Sequence, residues 1–215
     1  MEFFIDTANI NDIIELNNMG LVDGVTTNPT LIKKAGKDHE NTIREIADVI
    51  AGPISVETLS TDAKGMLEEA KTYQTWGKNI VIKIVMTAEG MKAVKELSKQ
   101  GVKTNVTVTF SPLQALVAAK AGASYISPFV GRLDDISHRG LDLIEDIRQI
   151  FDNYAFDTKI LVASIRSPLH ILDSGLIGAD VITAPPTVLK QLFNHPLTDK
   201  GVETFIKDSK AWATS

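Results

Sequence analysis

Short apolar runs alternate with longer segments in which apolar residues return every three or four positions, from one end of the chain to the other. The short runs predict β-strands at Glu2–Asp6 (EFFID), Leu21–Thr26 (LVDGVT), Pro53–Glu57 (PISVE) and Ile80–Ile84 (IVIKI). Four more are predicted at Lys103–Phe110 (KTNVTVTF), Ala123–Ser127 (ASYIS), Lys159–Ser164 (KILVAS) and Asp180–Thr183 (DVIT). The longer period marks helices such as Ile43–Ile50, Ala63–Thr72, Glu89–Lys99, Leu113–Lys120 and Asp142–Phe151. Thr61, ahead of DAKGMLEEA, is the expected N-cap of one of them, and Ser111-Pro112 places proline just inside another. Gly101 and Gly122 fall just past two helix ends.

Eight strands, each followed by a helix, within 215 residues predict an α/β fold, a (β/α)₈ barrel near the short end of its usual ~200 to 400 residues. An open doubly wound sheet competes, but no strand runs into the Gly-rich turn that such a sheet uses for dinucleotides. With no linker or low-complexity segment, residues 1–215 read as one barrel domain. The tail Thr198–Trp212 (TDKGVETFIKDSKAW) reads as an added helix, which caps the barrel or docks on a neighbouring subunit.

Composition removes several function classes. Apolar residues make up 44% of the chain and charged residues 23%, an ordinary globular balance. A formal net charge of -5 gives no reason to expect nucleic acid or an anionic membrane as partner. The chain has no cysteine, so disulfides, thiolate catalysis and Cys-based metal sites are excluded, and the four histidines show no metal-ligand spacing. MEFFIDTAN has no basic leader, and no apolar run approaches the ~20 residues that cross a bilayer. The expectation is a soluble, cytoplasmic protein.

Polar residues interrupt the apolar strands mostly at one end. Lys83 stands inside NIVIKIVMT, where a lysine is rarely buried unless something pairs with it or uses it. Strand one ends in Asp6, strand two runs into Thr26 and Asn28, and strand three ends in Glu57. Strand five offers Asn105 and Thr107, strand six Ser127 and Phe129 with Arg132 beyond, and strand seven Ser164 and Arg166. Side chains at i and i+2 point the same way, and barrel chemistry gathers at C-terminal strand ends. Singly, each has a bland reading: Lys83 snorkels, Asn28 makes a turn before Pro29, Phe129 is core, and Arg132 pairs with Asp134 or Asp135 in GRLDD. Seven strands delivering polar groups to one end are poorly explained by chance.

The residue types then narrow the chemistry. A lysine in an apolar, water-poor mouth loses affinity for its proton, and the free amine attacks a ketone to form a Schiff base. Cleavage of the neighbouring carbon–carbon bond needs a base for a substrate hydroxyl and a proton relay at the imine. Asp6 and Glu57 are the available carboxylates, and Thr107 offers a relay hydroxyl. Arg132, Arg166 and Ser164 would hold a phosphate through charge-assisted, fork-shaped hydrogen bonds. A class I aldolase-type enzyme acting on a sugar phosphate satisfies all of these. A non-catalytic sugar-phosphate binder would have no need of a desolvated amine.

The stretches FFIDTAN (3–9), DGVTTNPTLI (23–32), GPISVE (52–57), KTNVT (103–107), SPFVGRLDDI (127–136), ASIRSP (163–168) and HPLTDKG (195–201) resemble the small transaldolase family. That family includes transaldolase-like fructose-6-phosphate aldolases. The resemblance implies a (β/α)₈ barrel with no metal or organic cofactor, assembled into large ring-built homo-oligomers. It implies reversible transfer of a dihydroxyacetone unit from a ketose phosphate to an aldose phosphate, in the pentose phosphate pathway. Lys83 matches the Schiff-base lysine, and Asp6 the carboxylate that exchanges a proton with the substrate hydroxyl. Glu57 and Thr107 match the pair that holds a catalytic water. Asn28 and Asn105 match amides on sugar hydroxyls, with Thr26 and Ser127 alongside, and Arg132, Ser164 and Arg166 match the phosphate site. Relatives that release free dihydroxyacetone tend to carry Gln for Glu57 and Tyr for Phe129, so the resemblance favours transferase over aldolase. Val85 replaces an expected proline, and Ser137, Arg139 and Pro185-Pro186 also depart from the pattern.

Overall fold

A computed structural model describes residues 1–36 and 38–212. Eight parallel strands close into a barrel in sequence order, with β8 bonded back to β1. They are β1 (Glu2–Asp6), β2 (Gly24–Thr26), β3 (Ile54–Glu57), β4 (Ile80–Val85), β5 (Thr104–Thr109), β6 (Tyr125–Pro128), β7 (Lys159–Val162) and β8 (Val181–Ala184). Around them run α1 (Ile10–Asn18), α2 (Pro29–Ala35), α3 (His39–Val49), α4 (Ala63–Tyr73), α5 (Ala88–Lys99) and α6 (Pro112–Ala121). The circuit continues with α7 (Val130–Asp134), α8 (Gly140–Tyr154), α9 (Pro168–Ile177), α10 (Pro186–Gln191) and the tail helix α11 (Pro196–Trp212). No described helix is long and apolar enough to cross a membrane.

Local chemistry accounts for most boundaries. Ser111 caps α6 with Pro112 in its first turn, and Gly122 closes it in the left-handed region at φ 95°. The cap of α4 is Asp62 rather than the expected Thr61: its carboxylate accepts from the Gly65 N–H at 3.0 Å. A carboxylate there also meets the positive end of the helix dipole. The second strand begins only at Gly24, because Leu21 is still tied to α1 through its N–H to the Leu16 carbonyl at 3.2 Å. α2, α9 and α10 each begin with a proline, a start that sequence period alone does not reveal in such short or nearly all-apolar segments.

Apolar side chains form two separate bodies. The larger lies between sheet and helices and includes Ile5, Val25, Ile54, Ile82, Val106 and Ile160. The smaller, Phe4, Val81, Tyr125, Leu161, Ala163 and Val181, belongs to the residues that face the barrel axis. Phe4 fills space that only a glycine leaves open, since a Cβ on Gly24 would lie 2.6 Å from its ring. Two residues further along the same strands stand Asp6, Lys83, Ser127 and Thr183. The interior therefore changes from an apolar floor to a polar rim within one i to i+2 step, and register lines the rim up. Asp6 is opposite Thr26, Glu57 opposite Lys83, and Lys83 opposite Asn105.

Candidate active site

A cavity of about 170 Å³ opens at the C-terminal ends of the strands. Ten of the twelve residues singled out from sequence line it: Asp6, Thr26, Asn28, Lys83, Thr107, Ser127, Phe129, Arg132, Ser164 and Arg166. Glu57 reaches it through Lys83, and Asn105, in register with Lys83, is turned to Ser55 and Ser127 and does not line it.

Lys83 is 5% exposed. Its surroundings are polar rather than apolar: Nζ lies 3.0 Å from Glu57 Oε2 and donates to the Thr27 carbonyl at 3.0 Å. A buried ammonium needs such partners, and Glu57 is also close enough to take its proton. Glu57 faces an adjoining crevice shared with Asn28, His39 and Leu59. Thr107 Oγ1 is buried without a hydrogen-bond partner among the described residues, so a substrate oxygen or a water entering the cavity finds an unused hydroxyl. Just beyond it Val108 takes φ 60°, and the β5–β6 register shifts between Val106 and Thr109. A bulge at a strand end re-aims the residues beside it.

Asp6 is the second carboxylate. Thr26 Oγ1 donates to its Oδ1 at 2.8 Å. Burial pushes the Asp6 carboxyl above its ordinary range; the Lys83 charge and the Thr26 hydrogen bond pull it partly back, and Glu57 adds a smaller push upward. Asn105 is a strut: it donates to Ser55 Oγ at 3.1 Å and accepts from Ser127 Oγ at 2.8 Å. Asn28 Oδ1 caps α2 by accepting from the Leu31 N–H at 3.0 Å, so the amide's remaining asset for a ligand is its N–H donors.

The opposite wall is cationic. Ser164 holds φ 60°, and its carbonyl accepts from the Gly131 N–H at 3.1 Å. Gly131 has no room for a side chain, because a Cβ would overlap that carbonyl and sit 2.7 Å from Arg166 Nε. Arg166, not Arg132, pairs with Asp135, at 2.9 Å. Arg132 instead lies over the Phe129 ring, 4.8 Å from its centre, and Phe110 meets the same ring edge-on. His170 bridges the two segments: Nδ1 accepts from the Arg166 N–H at 3.2 Å, and Nε2 faces Asp134 Oδ2 at 2.9 Å. That pattern places the imidazole proton on Nε2.

Sequence reasoning did not anticipate the Thr27 carbonyl, Ser55, His170 or Thr183. Thr183 was within its reach, because it follows Val181 by two positions in DVIT and so falls on the rim by the rule used for the other strands. Ser55 was within reach by the same rule, since it precedes Glu57 by two positions on β3; the Thr27 carbonyl and His170 act through main-chain or cross-element contacts that strand period does not encode. Among the described residues no three acidic or histidine side chains gather in a metal-holding arrangement.

The family model described as Transaldolase/Fructose-6-phosphate aldolase matches residues 3–215. A probable transaldolase of Desulfosudis oleivorans is 59% identical over 210 residues, covering 98% of each chain. One from Aquifex aeolicus is 57% identical over 208 residues, covering 97% of this chain and 96% of its own. One from Methanococcus maripaludis is 55% identical over 211 residues, covering 98% of each. On the barrel, the lysine at its mouth and these matches, the chain belongs to the transaldolase/fructose-6-phosphate aldolase family of enzymes.

Proposed function

We propose that the protein is a Schiff-base transaldolase, which moves a dihydroxyacetone unit from a ketose phosphate such as sedoheptulose 7-phosphate or fructose 6-phosphate to an aldose phosphate such as glyceraldehyde 3-phosphate or erythrose 4-phosphate. The observation that carries this reading is a buried Lys83 amine 3.0 Å from Glu57, in a cavity that also holds Asp6. Lys83 Nζ hands a proton to Glu57 and attacks the donor's C2 carbonyl. The carbinolamine then loses water, with Glu57 and Thr107 returning protons to the departing oxygen. Asp6 takes the proton of the C4 hydroxyl as the C3–C4 bond breaks, and the bonding pair moves into the iminium to give an enamine on Lys83. The short aldose phosphate leaves, an acceptor aldehyde enters, and the steps run in reverse. Burial suits Asp6 to this role, because a carboxylate with raised proton affinity is a stronger base.

Arg132, Arg166 and the Ser164 hydroxyl would hold the substrate phosphate, and Asn28 and Ser127 the sugar hydroxyls. Glu57 and Phe129 support transfer over release. Phe129 offers the intermediate no hydroxyl, and its ring is occupied by Arg132. The reading extends to pentose recycling in the cytoplasm and to self-association into a ring-built homo-oligomer, with α11 docking on a neighbouring subunit. In support, Leu197, Val202, Phe205, Ile206 and Trp212 on that helix are all exposed in the single chain.

Incubation with fructose 6-phosphate, borohydride reduction and peptide mapping is expected to place a reduced dihydroxyacetone adduct on Lys83, with none on a Lys83→Met variant. An adduct elsewhere, or turnover by that variant, rules out the mechanism. Measuring free dihydroxyacetone with and without glyceraldehyde 3-phosphate separates the two family activities. Release without acceptor at a rate matching transfer makes the protein a fructose-6-phosphate aldolase.

A further inference from the structure

The Thr26 hydroxyl has two neighbours and one proton. It donates that proton to Asp6 Oδ1 at 2.8 Å, and its oxygen lies 2.6 Å from Thr183 Oγ1, a pair in which distance alone leaves the donor open. With Thr26's proton committed to Asp6, the second bond exists only if Thr183 donates. No backbone ladder forces the contact, because β2 and β8 are not neighbours; β1 lies between them and carries Asp6. The two hydroxyls thus meet across the strand that bears the carboxylate. Both are buried, Thr183 at 3% and Thr26 at 2% exposed, so little solvent competes for them. Thr183 also lines the cavity.

We propose that Thr183 is a positioning residue for Asp6, the origin of a one-way hydrogen-bond chain Thr183→Thr26→Asp6 that fixes Oδ1 as an acceptor and turns Oδ2 toward the substrate hydroxyl. This rests on the reading of Asp6 as the group that takes the substrate's proton. Donation into Thr26 polarises its O–H and strengthens the bond it makes to the carboxylate. The charged groups around Asp6 are Lys83 on β4, which favours its ionised form, and Glu57 on β3, which opposes it. Thr183 therefore acts on a carboxylate already pulled in two directions, and removing it favours the protonated acid.

The test is the pH dependence of kcat/KM for fructose 6-phosphate cleavage, with a phosphorylated acceptor present, in Thr183→Val, Thr183→Ser and Thr26→Val. Valine keeps the volume and deletes the proton donor. Thr183→Val is expected to move the acid limb to higher pH and to lower the rate on that limb about three- to tenfold, the effect of one neutral hydrogen bond. Serine is expected to return the limb to its wild-type position, which a purely steric role does not predict. Imine trapping at Lys83 serves as the second readout, since Asp6 acts after the imine forms and trapping should stay intact while cleavage slows. If Thr26→Val moves the limb and Thr183→Val leaves it in place, Thr183 only packs and the proposal is overturned. If neither moves it and Asp6→Asn still cleaves, the proton-acceptor reading of Asp6 falls first and takes the proposal with it. Should valine prevent folding, Thr183→Ala carries the same expectation for the limb.

Discussion

Asp6 shows how a single residue trades stability for chemistry. Its carboxyl holds a proton more tightly in the folded barrel than in the open chain, chiefly because it is buried. A carboxyl raised in this way favours the fold while protonated, and the benefit is lost as pH climbs from its unfolded pKa through its folded one. Asp6→Asn keeps the Oδ1 acceptor for Thr26 and removes the buried charge. The variant is expected to melt a few degrees higher than the wild type at neutral pH, with the gap shrinking as pH falls through the raised folded pKa and closed below about pH 4, where both carry a neutral side chain. Carbon–carbon cleavage should fall by about 10²- to 10⁴-fold, the range for losing a general base. Thermal melts at several pH values read the first effect and steady-state rates the second. Equal melting at neutral pH would mean that Lys83 fully compensates the buried charge.

At the scale of the element, the i to i+2 rule worked where a strand is regular and failed where a contact crosses between elements. Asp6, Lys83 and Thr107 were legible because period two alone decides which face each takes. The bridge from Asp134 through His170 to Arg166 was not, since it joins a five-residue helix to the start of another through an imidazole 36 residues away along the chain from Asp134. The same is true of Asp62, where the choice between adjacent capping residues depends on backbone angles that sequence does not give. Gly131 tests how tightly these segments are fitted together. Gly131→Ala drives a methyl into the Ser164 carbonyl and toward Arg166 Nε. We expect KM for phosphorylated substrates to rise by about tenfold or more, as befits the loss of about one charged hydrogen bond, with a smaller effect on an unphosphorylated ketose. Comparing fructose 6-phosphate with fructose checks it, and a parallel loss on both sugars would indicate general damage to the barrel.

For the whole molecule, the expected eight-stranded barrel matches the structure, while the tail helix is the element whose proposed role, docking on a neighbouring subunit, lies outside one chain. Phe205 and Trp212 on α11 are 73% and 80% exposed. Large apolar side chains at such exposure support the proposal that α11 docks on a neighbouring subunit. A chain ending at residue 195 should lose most of its self-association, and Phe205→Asp should weaken it, as read by light scattering after size exclusion. A truncated chain that keeps the full assembly would move the interface elsewhere on the barrel.

The apolar floor beneath the rim has a consequence for how such a protein can change. Phe4, Val81, Tyr125, Leu161 and Val181 pack the axis below the site, while Asp6, Lys83, Ser127 and Thr183 sit one step above them on the same strands. Rim positions such as Ser127 and Phe129 can then be exchanged without removing a side chain of that floor, and floor positions can be tightened without touching a proton path. Lineages, or laboratory libraries, can explore new sugars through the upper storey while inheritance of the barrel is secured by the lower one.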